Sequence, residues 1–205
     1  MPRCRTRTVL FLAALGFAWA GPLAAQRRAV FNLPRLYVSG WAGRFTDFGG
    51  FSDDENTYFR FDKANAFGGS LHVRVGQTAL LGVDLVYAKP AYDRFNDSTP
   101  PQIFASGDAS TLGAVATARL MGGGSLAGVY VTGGAGGWFW TVPDLGGREF
   151  DPALMGGIGL DYALRRPLTL FGEYSQWWVY HEKSGNVVKN TANHTLIRLG
   201  LRLAY

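Results

Sequence analysis

Apolar and polar residues alternate along most of this chain with a period of two, which is the periodicity of β-strands. The pattern is clearest in the C-terminal segment HTLIRLGLRLAY. One face of that segment carries Ile197, Leu199, Leu201, Leu203 and Tyr205, and the other carries Leu196, Arg198, Gly200, Arg202 and Ala204. The alternation indicates a strand that contacts an apolar medium on one side and a polar medium on the other.

Eight segments share this alternation and are separated by residues typical of turns. They are 35–46, 65–76, 79–89, 110–121, 127–142, 152–163, 168–180 and 194–205. Most are about 10 to 13 residues long, the length that a tilted strand needs to cross the hydrocarbon core of a membrane. The connections between them are alternately long and short: 47–64, 77–78, 90–109, 122–126, 143–151, 164–167 and 181–193. Transmembrane barrels have this alternation, so we predict an all-β fold, an eight-stranded antiparallel up-and-down transmembrane β-barrel.

The second face of several predicted strands combines small residues with a charge, as in Gly82 with Asp84 and Gly159 with Asp161. This composition suits a narrow polar lumen in which glycines make room for long side chains. We predict that the following residues form a charge network in the lumen: His72, Arg74, Asp84, Arg119, Asp161, Glu173, Arg198 and Arg202. Such charges must be paired or hydrated. They would form either a purely structural network or a gate whose ion pairs exchange to open a water path.

Aromatic residues make up 14% of the chain and gather near the ends of the predicted strands. Amphipathic rings collect at membrane interfaces, so we predict an aromatic girdle in two belts. The belt near the long loops would contain Phe45, Tyr87, Trp138, Trp140, Trp178 and Tyr180, and the opposite belt Tyr37, Tyr162 and Tyr205.

The first 26 residues have the three regions of a secretory signal peptide: arginines, an apolar run from Val9 to Ala20, and small residues. We expect this segment to be cleaved and residues 27–205 to form one barrel domain in the outer membrane of a Gram-negative-type cell, with both ends of the chain in the periplasm. Cleavage would remove the single cysteine, Cys4, together with three of the 20 basic residues and none of the 15 acidic ones. The remaining net charge of +2 and the lack of a basic cluster argue against a nucleic-acid partner.

The alternating leucines Leu199, Leu201 and Leu203 before Tyr205 look like the β-signal that outer-membrane assembly machinery recognises. Together with MGGIGLDYAL and LTLFGEY, they make the chain resemble the small outer-membrane β-barrel superfamily that includes OmpA transmembrane domains, OmpX and OmpW. The resemblance implies contact with outer-membrane lipids and lipopolysaccharide, and with the barrel-assembly machinery during biogenesis. The motifs are specific for architecture and not for activity, and we predict a non-catalytic structural or surface-interaction role. The alternative is a narrow gated channel for small solutes or, as the OmpW resemblance would imply, small apolar molecules.

An enzymatic alternative is a lipid A deacylase resembling PagL, which would use a lipid-facing histidine and serine with a carboxylate. His181, Ser184 and Glu173 are the candidates, but HEKSGN separates its histidine and serine by three positions where that family separates them by two. The three histidines of the chain are too scattered for a metal site, and we expect no cofactor. The loop with Asp53-Asp54-Glu55 reads as a solvated acidic loop, and the long loops are where an external ligand would bind.

Overall fold

The computed structural model describes residues 36–52, 57–96, 100–123, 127–143, 147–182 and 189–205. They form twelve strands: β1 (Leu36–Phe48), β2 (Phe51–Ser52), β3 (Thr57–Phe61), β4 (Asn65–Arg74), β5 (Ala79–Ala88), β6 (Ala91–Asn96), β7 (Ile103–Asp108), β8 (Ser110–Gly123), β9 (Ala127–Val142), β10 (Gly147–Arg165), β11 (Leu168–Glu182) and β12 (Lys189–Ala204). The predicted signal peptide and the Asp53-Asp54-Glu55 loop lie outside the described residues.

Eight of these strands form a closed barrel in the order β1-β12-β11-β10-β9-β8-β5-β4, and β1 closes the ring by pairing with β4. Every neighbouring pair is antiparallel. The prediction of an eight-stranded antiparallel up-and-down barrel is therefore confirmed. Within the described residues, no helix has the length and apolar character needed to cross a membrane.

The two ends of the barrel differ. The terminal end carries Leu36, Ala204 and the short connections 75–78 and 166–167, and the loop end carries the long connections. The strands extend further toward the loop end than the alternation predicts: β10 begins at Gly147 instead of residue 152, and β12 begins at Lys189 instead of residue 194.

The predicted loops 47–64 and 90–109 contain four further strands, which is a correction to the sequence-based picture. They form a second antiparallel sheet in the order β2-β3-β6-β7, which we call the loop-end sheet. Backbone hydrogen bonds carry the pairing across the gaps between this sheet and the barrel: Asp62 N donates to Ala91 O at 2.9 Å, and Ala109 N donates to Pro90 O at 2.9 Å. The loop-end sheet thus prolongs the barrel wall formed by β4, β5 and β8.

Outward-facing side chains on the barrel strands are apolar around the ring. The exposed fractions reach 52% for Leu71, 53% for Ile158 and 60% for Leu199. Other members of this apolar band are Val38, Phe67, Val73, Leu81, Val83, Leu85, Leu112, Leu120, Val129, Val131, Leu154, Leu160, Tyr174, Ile197, Leu201 and Leu203. Soluble monomers rarely expose a continuous apolar surface of this extent, whereas a lipid-facing barrel wall requires one.

Candidate functional site

The barrel interior holds a network of buried ion pairs centred on Arg198 of β12. Its guanidinium group donates to Asp84 of β5 at 2.9 Å and to Glu173 of β11 at 2.5 Å. In the ring, β5 and β11 are four strands apart and therefore lie on opposite walls. Arg198 thus links opposite walls across the lumen.

Two further arginines, Arg119 and Arg202, pair with the carboxylates of this network. Arg119 on β8 donates to Asp84 at 3.1 Å and lies 3.6 Å from Glu173. Arg202 donates to Asp161 at 2.5 Å. Three guanidinium groups thus face three carboxylates, all buried, as a low-dielectric interior requires.

Tyr130 connects the two parts of this network. Its hydroxyl donates to Glu173 at 2.9 Å. The guanidinium groups of Arg119 and Arg202 lie over its ring at 5.3 and 5.4 Å from the centroid, within the range of cation–π attraction. Sequence reasoning missed Tyr130 as a network member because it considered only charged groups and histidine. Tyr130 is two residues from the polar Thr132 and therefore lies on the same strand face. This spacing is the sequence feature that could have placed Tyr130 in the interior.

His72 and Arg74 are the other two predicted network members, and each forms hydrogen bonds within the barrel. His72 is buried and forms a 2.9 Å hydrogen bond between its Nε2 and Thr117 Oγ1. Arg74 is half-buried near the terminal end, where it donates to the Tyr37 hydroxyl and, at 2.6 Å, to the Gln77 carbonyl. The structure therefore joins six of the eight predicted residues to one another by ion pairs.

A second interior layer, nearer the loop end, is aromatic, and we call it the aromatic layer. The ring centroids of Phe45 on β1 and Trp138 on β9 are 5.9 Å apart, and these strands too are four apart in the ring. Trp138 also contacts Trp177 at 5.2 Å and His194 at 5.3 Å. Like the ion network, the aromatic layer links opposite walls.

Aromatic residues of the loop-end sheet pack on this layer. Phe61 of β3 stacks on Trp140 with centroids 4.9 Å apart, and Phe51 of β2 stacks on His181 at 4.1 Å. Asp151 accepts hydrogen bonds from Trp140 Nε1 at 2.7 Å and is paired with His181 Nδ1 at 3.0 Å. The buried carboxylate thereby fixes the orientation of both rings.

Four of the nine predicted girdle residues do not face outward. Phe45, Trp138 and Trp140 are fully buried in the aromatic layer, and Tyr37 is buried beside Arg74. The prediction used their distance from the strand ends and neglected their face. Tyr87, Tyr162, Tyr180 and Tyr205 are exposed, and Trp178 is partly exposed.

The residues of the predicted assembly signal, Leu199, Leu201, Leu203 and Tyr205, all point outward, with exposed fractions from 37% to 65%. Of the predicted deacylase residues, His181 is buried in the interior and Glu173 belongs to the ion network. Ser184 lies outside the described residues. Within the part of the chain that the structure describes, no group of three or more His, Cys, Asp or Glu side chains has the arrangement of a metal site.

Solved structures show the class to which this fold belongs. Neisserial surface protein A superposes with a TM-score of 0.59 at 17% identity, over 83% of this chain and 97% of that chain. OprG from Pseudomonas aeruginosa gives 0.56 at 13% identity, over 85% and 97%, and outer membrane protein W of E. coli gives 0.50 at 12% identity, over 85% and 100%. The chain therefore has the fold of the small eight-stranded outer-membrane barrels, as its sequence predicts.

No family model matches the chain, and no curated protein sequence matches it. The likeness to the three barrels is thus one of fold, and the role of this barrel has to be argued from its own side chains.

Proposed function

We propose that the chain is an outer-membrane β-barrel with a closed interior and a structural or surface-interaction role, and that it is not an enzyme. Its apolar outer face and its structural neighbours support the outer-membrane location. In this proposal the N-terminal segment is a cleaved signal peptide, the terminal end faces the periplasm, and the loop end faces the outside.

The observation that carries the proposal is that two separate layers cross the lumen. The Arg198 bridge between Asp84 and Glu173 is one, and the Phe45–Trp138 contact is the other. An eight-stranded barrel has room for little besides its own side chains. A solute would have to displace both layers to pass.

The loop-end sheet is the part of the molecule available to partners on the outside. Within the described residues its edge strand β7 pairs with β6 alone, and Ile103 and Phe104 on it are 56% and 52% exposed. Binding residues concentrate on loops carried by a rigid scaffold. A surface-interaction role would therefore reside here and not in the lumen.

A second candidate, a narrow gated channel, is supported by the way in which Arg198 shares its contacts. One nitrogen, Nη2, serves both Asp84 and Glu173, while Nε and Nη1 are buried and form no hydrogen bond with any of the described residues. An arginine with spare donors between two carboxylates has alternative pairings available. Exchange between them would open the ion network, although not the aromatic layer.

Conductance of the full chain in planar bilayers distinguishes the two candidates. We expect the wild-type barrel and the Glu173→Gln variant, which weakens the ion network, to insert without discrete openings because the aromatic layer remains. Gly40→Ala, whose added Cβ meets no neighbouring atom within 4 Å, is the matched control. Openings in the wild type that change in Glu173→Gln and persist in Gly40→Ala would contradict a closed barrel and favour the channel.

A lipid A deacylase of the kind considered above needs a lipid-facing histidine, and the interior position of His181 against Asp151 supports a non-catalytic barrel. The row Leu199, Leu201, Leu203 and Tyr205 faces outward along the last strand. We propose that it serves as the assembly signal.

A further inference from the structure

The outer wall of the barrel carries a row of basic and amide side chains at the rim where β1, β4 and β5 meet the loop end. Arg44 on β1 is directly opposite Asn65 on β4. The register of β4 and β5, in which Ala66 pairs with Ala88, places Lys89 beside Asn65 when it is continued by one residue. All three residues are exposed.

These residues face the same side as the apolar band. On β5 the outward positions run through Leu81, Val83, Leu85 and Tyr87 to Lys89, and on β4 they run from Val73 through Leu71 and Phe67 to Asn65. The row therefore borders the apolar band on the side of the loop end. This is the height at which lipid headgroups meet a membrane protein.

Spacing on the sheet lets the two cations act together. Neighbouring strands lie about 4.8 Å apart, so the Cα atoms of Arg44 and Lys89 are separated by about 10 Å across β4. Arginine and lysine side chains are long enough to converge on one group held between them. Lys63, exposed two residues before Asn65, adds a third positive charge further from the band.

The three cations are unpaired within the part of the chain that the structure describes. No carboxylate there forms an ion pair with Arg44, Lys63 or Lys89. The basic residues of the loop-end sheet are engaged instead, since Arg60 pairs with Asp93 at 2.9 Å and Arg94 lies over the Phe104 ring. Asp47 and Asp62 are exposed near the loop end, next to the row formed by Arg44, Asn65 and Lys89.

We propose that Arg44, Asn65 and Lys89 bind a phosphate group of a phosphorylated glycolipid in the outer leaflet, together with Lys63, which lies further from the apolar band. A guanidinium group offers a bidentate fork for phosphate, an ammonium group offers a point charge, and the Asn65 amide adds a neutral donor. The acyl chains of the same lipid would lie along Phe67, Leu85 and Tyr87. This inference rests on the proposed function, because only the proposed orientation places the loop end in the outer leaflet.

Binding of bisphosphorylated lipid A to the detergent-solubilised full chain tests the site. The Arg44→Gln/Lys89→Gln variant should bind about tenfold more weakly than the wild type, since each basic residue near an anionic lipid surface contributes appreciably to binding. The matched control is Arg165→Gln/Arg166→Gln, which removes two exposed positive charges at the terminal end and should bind as the wild type does. The exchanged pair Arg44→Lys/Lys89→Arg should retain most of the affinity and so exclude misfolding.

Equal affinity of the Arg44→Gln/Lys89→Gln variant and the wild type would overturn the inference. Competition by inorganic phosphate as effective as that by lipid A would overturn the assignment to a lipid. Failure of the proposed orientation is detected separately, by labelling the loop end and the terminal end in intact cells. A site that binds lipid A on a barrel oriented the other way would refute the proposed function and not the binding site.

Discussion

Gly159 on β10 illustrates, at the scale of single residues, how small inward positions make room for large side chains. A Cβ at position 159 would lie 2.6 Å from Cε1 of Tyr130. The hydroxyl of the same tyrosine donates to Glu173, which holds Arg198. The missing side chain at 159 therefore allows Tyr130 to reach the ion network.

Replacing this glycine should disturb the network without removing a charge. We expect Gly159→Ala to lower the free energy of unfolding by about 1–3 kcal/mol, the usual cost of an added group in a filled interior, as measured by urea unfolding of the lipid-embedded barrel. Gly40→Ala adds the same group on the outer face, where nothing lies within 4 Å, and should change stability by less than about 0.5 kcal/mol. Equal effects of the two substitutions would show that Gly159 makes no specific room for Tyr130.

The strand face that each residue occupies explains why part of the site could be predicted from the sequence. Asp84, Arg119 and Arg198 alternate with apolar neighbours, so the face that each occupies follows from the period of two. Trp138 and Trp140 obey the same rule, because they share a face with Thr132 while Phe139 points outward. The girdle prediction failed for them because position along a strand says nothing about face.

At the scale of elements, the loop-end sheet is held by aromatic contacts that hydrophobic periodicity does not reveal. The strands β2 and β3 span two and five residues, too few for a pattern of alternation to stand out. The eight barrel strands are longer and were predicted to within a few residues at most ends. Pairing between β3 and β6 joins segments from different loops, which no local signal encodes.

Phe61 should therefore control the stability of this sheet without controlling that of the barrel. We expect Phe61→Ala to remove the stacking on Trp140 and to cost about 3 kcal/mol locally. Hydrogen exchange should then become about a hundredfold faster in β3 and β6 and stay unchanged in β11 and β12. Phe67→Ala, which truncates a ring that is 59% exposed on the outer face of β4, is the control and should leave both regions as they are. Loss of protection throughout the barrel would contradict a locally stabilised sheet.

At the scale of the whole molecule, the outer surface and the interior point to the same role. The apolar band suits a wall surrounded by lipid, while the ion network and the aromatic layer fill the space that a channel would need. In our proposal, interactions of this barrel with its surroundings would take place at the loop end, through the loop-end sheet and through Arg44, Asn65 and Lys89. Composition and alternation predict such a barrel but do not identify a partner, because they do not show which side chains from different strands the fold brings together.

The most direct test of the account is site-specific labelling of the full chain in intact Gram-negative cells. The single cysteine of the sequence, Cys4, lies in the proposed signal peptide, so each variant carries one cysteine after cleavage. The unsubstituted protein is the control for treatment with a membrane-impermeant maleimide. Ser106→Cys on β7 should react in intact cells, and Gln77→Cys in the β4–β5 turn should react only after the outer membrane is permeabilised. Reaction of Gln77→Cys without Ser106→Cys in intact cells would contradict the orientation, and reaction of neither variant there would contradict exposure of the loop end at the cell surface.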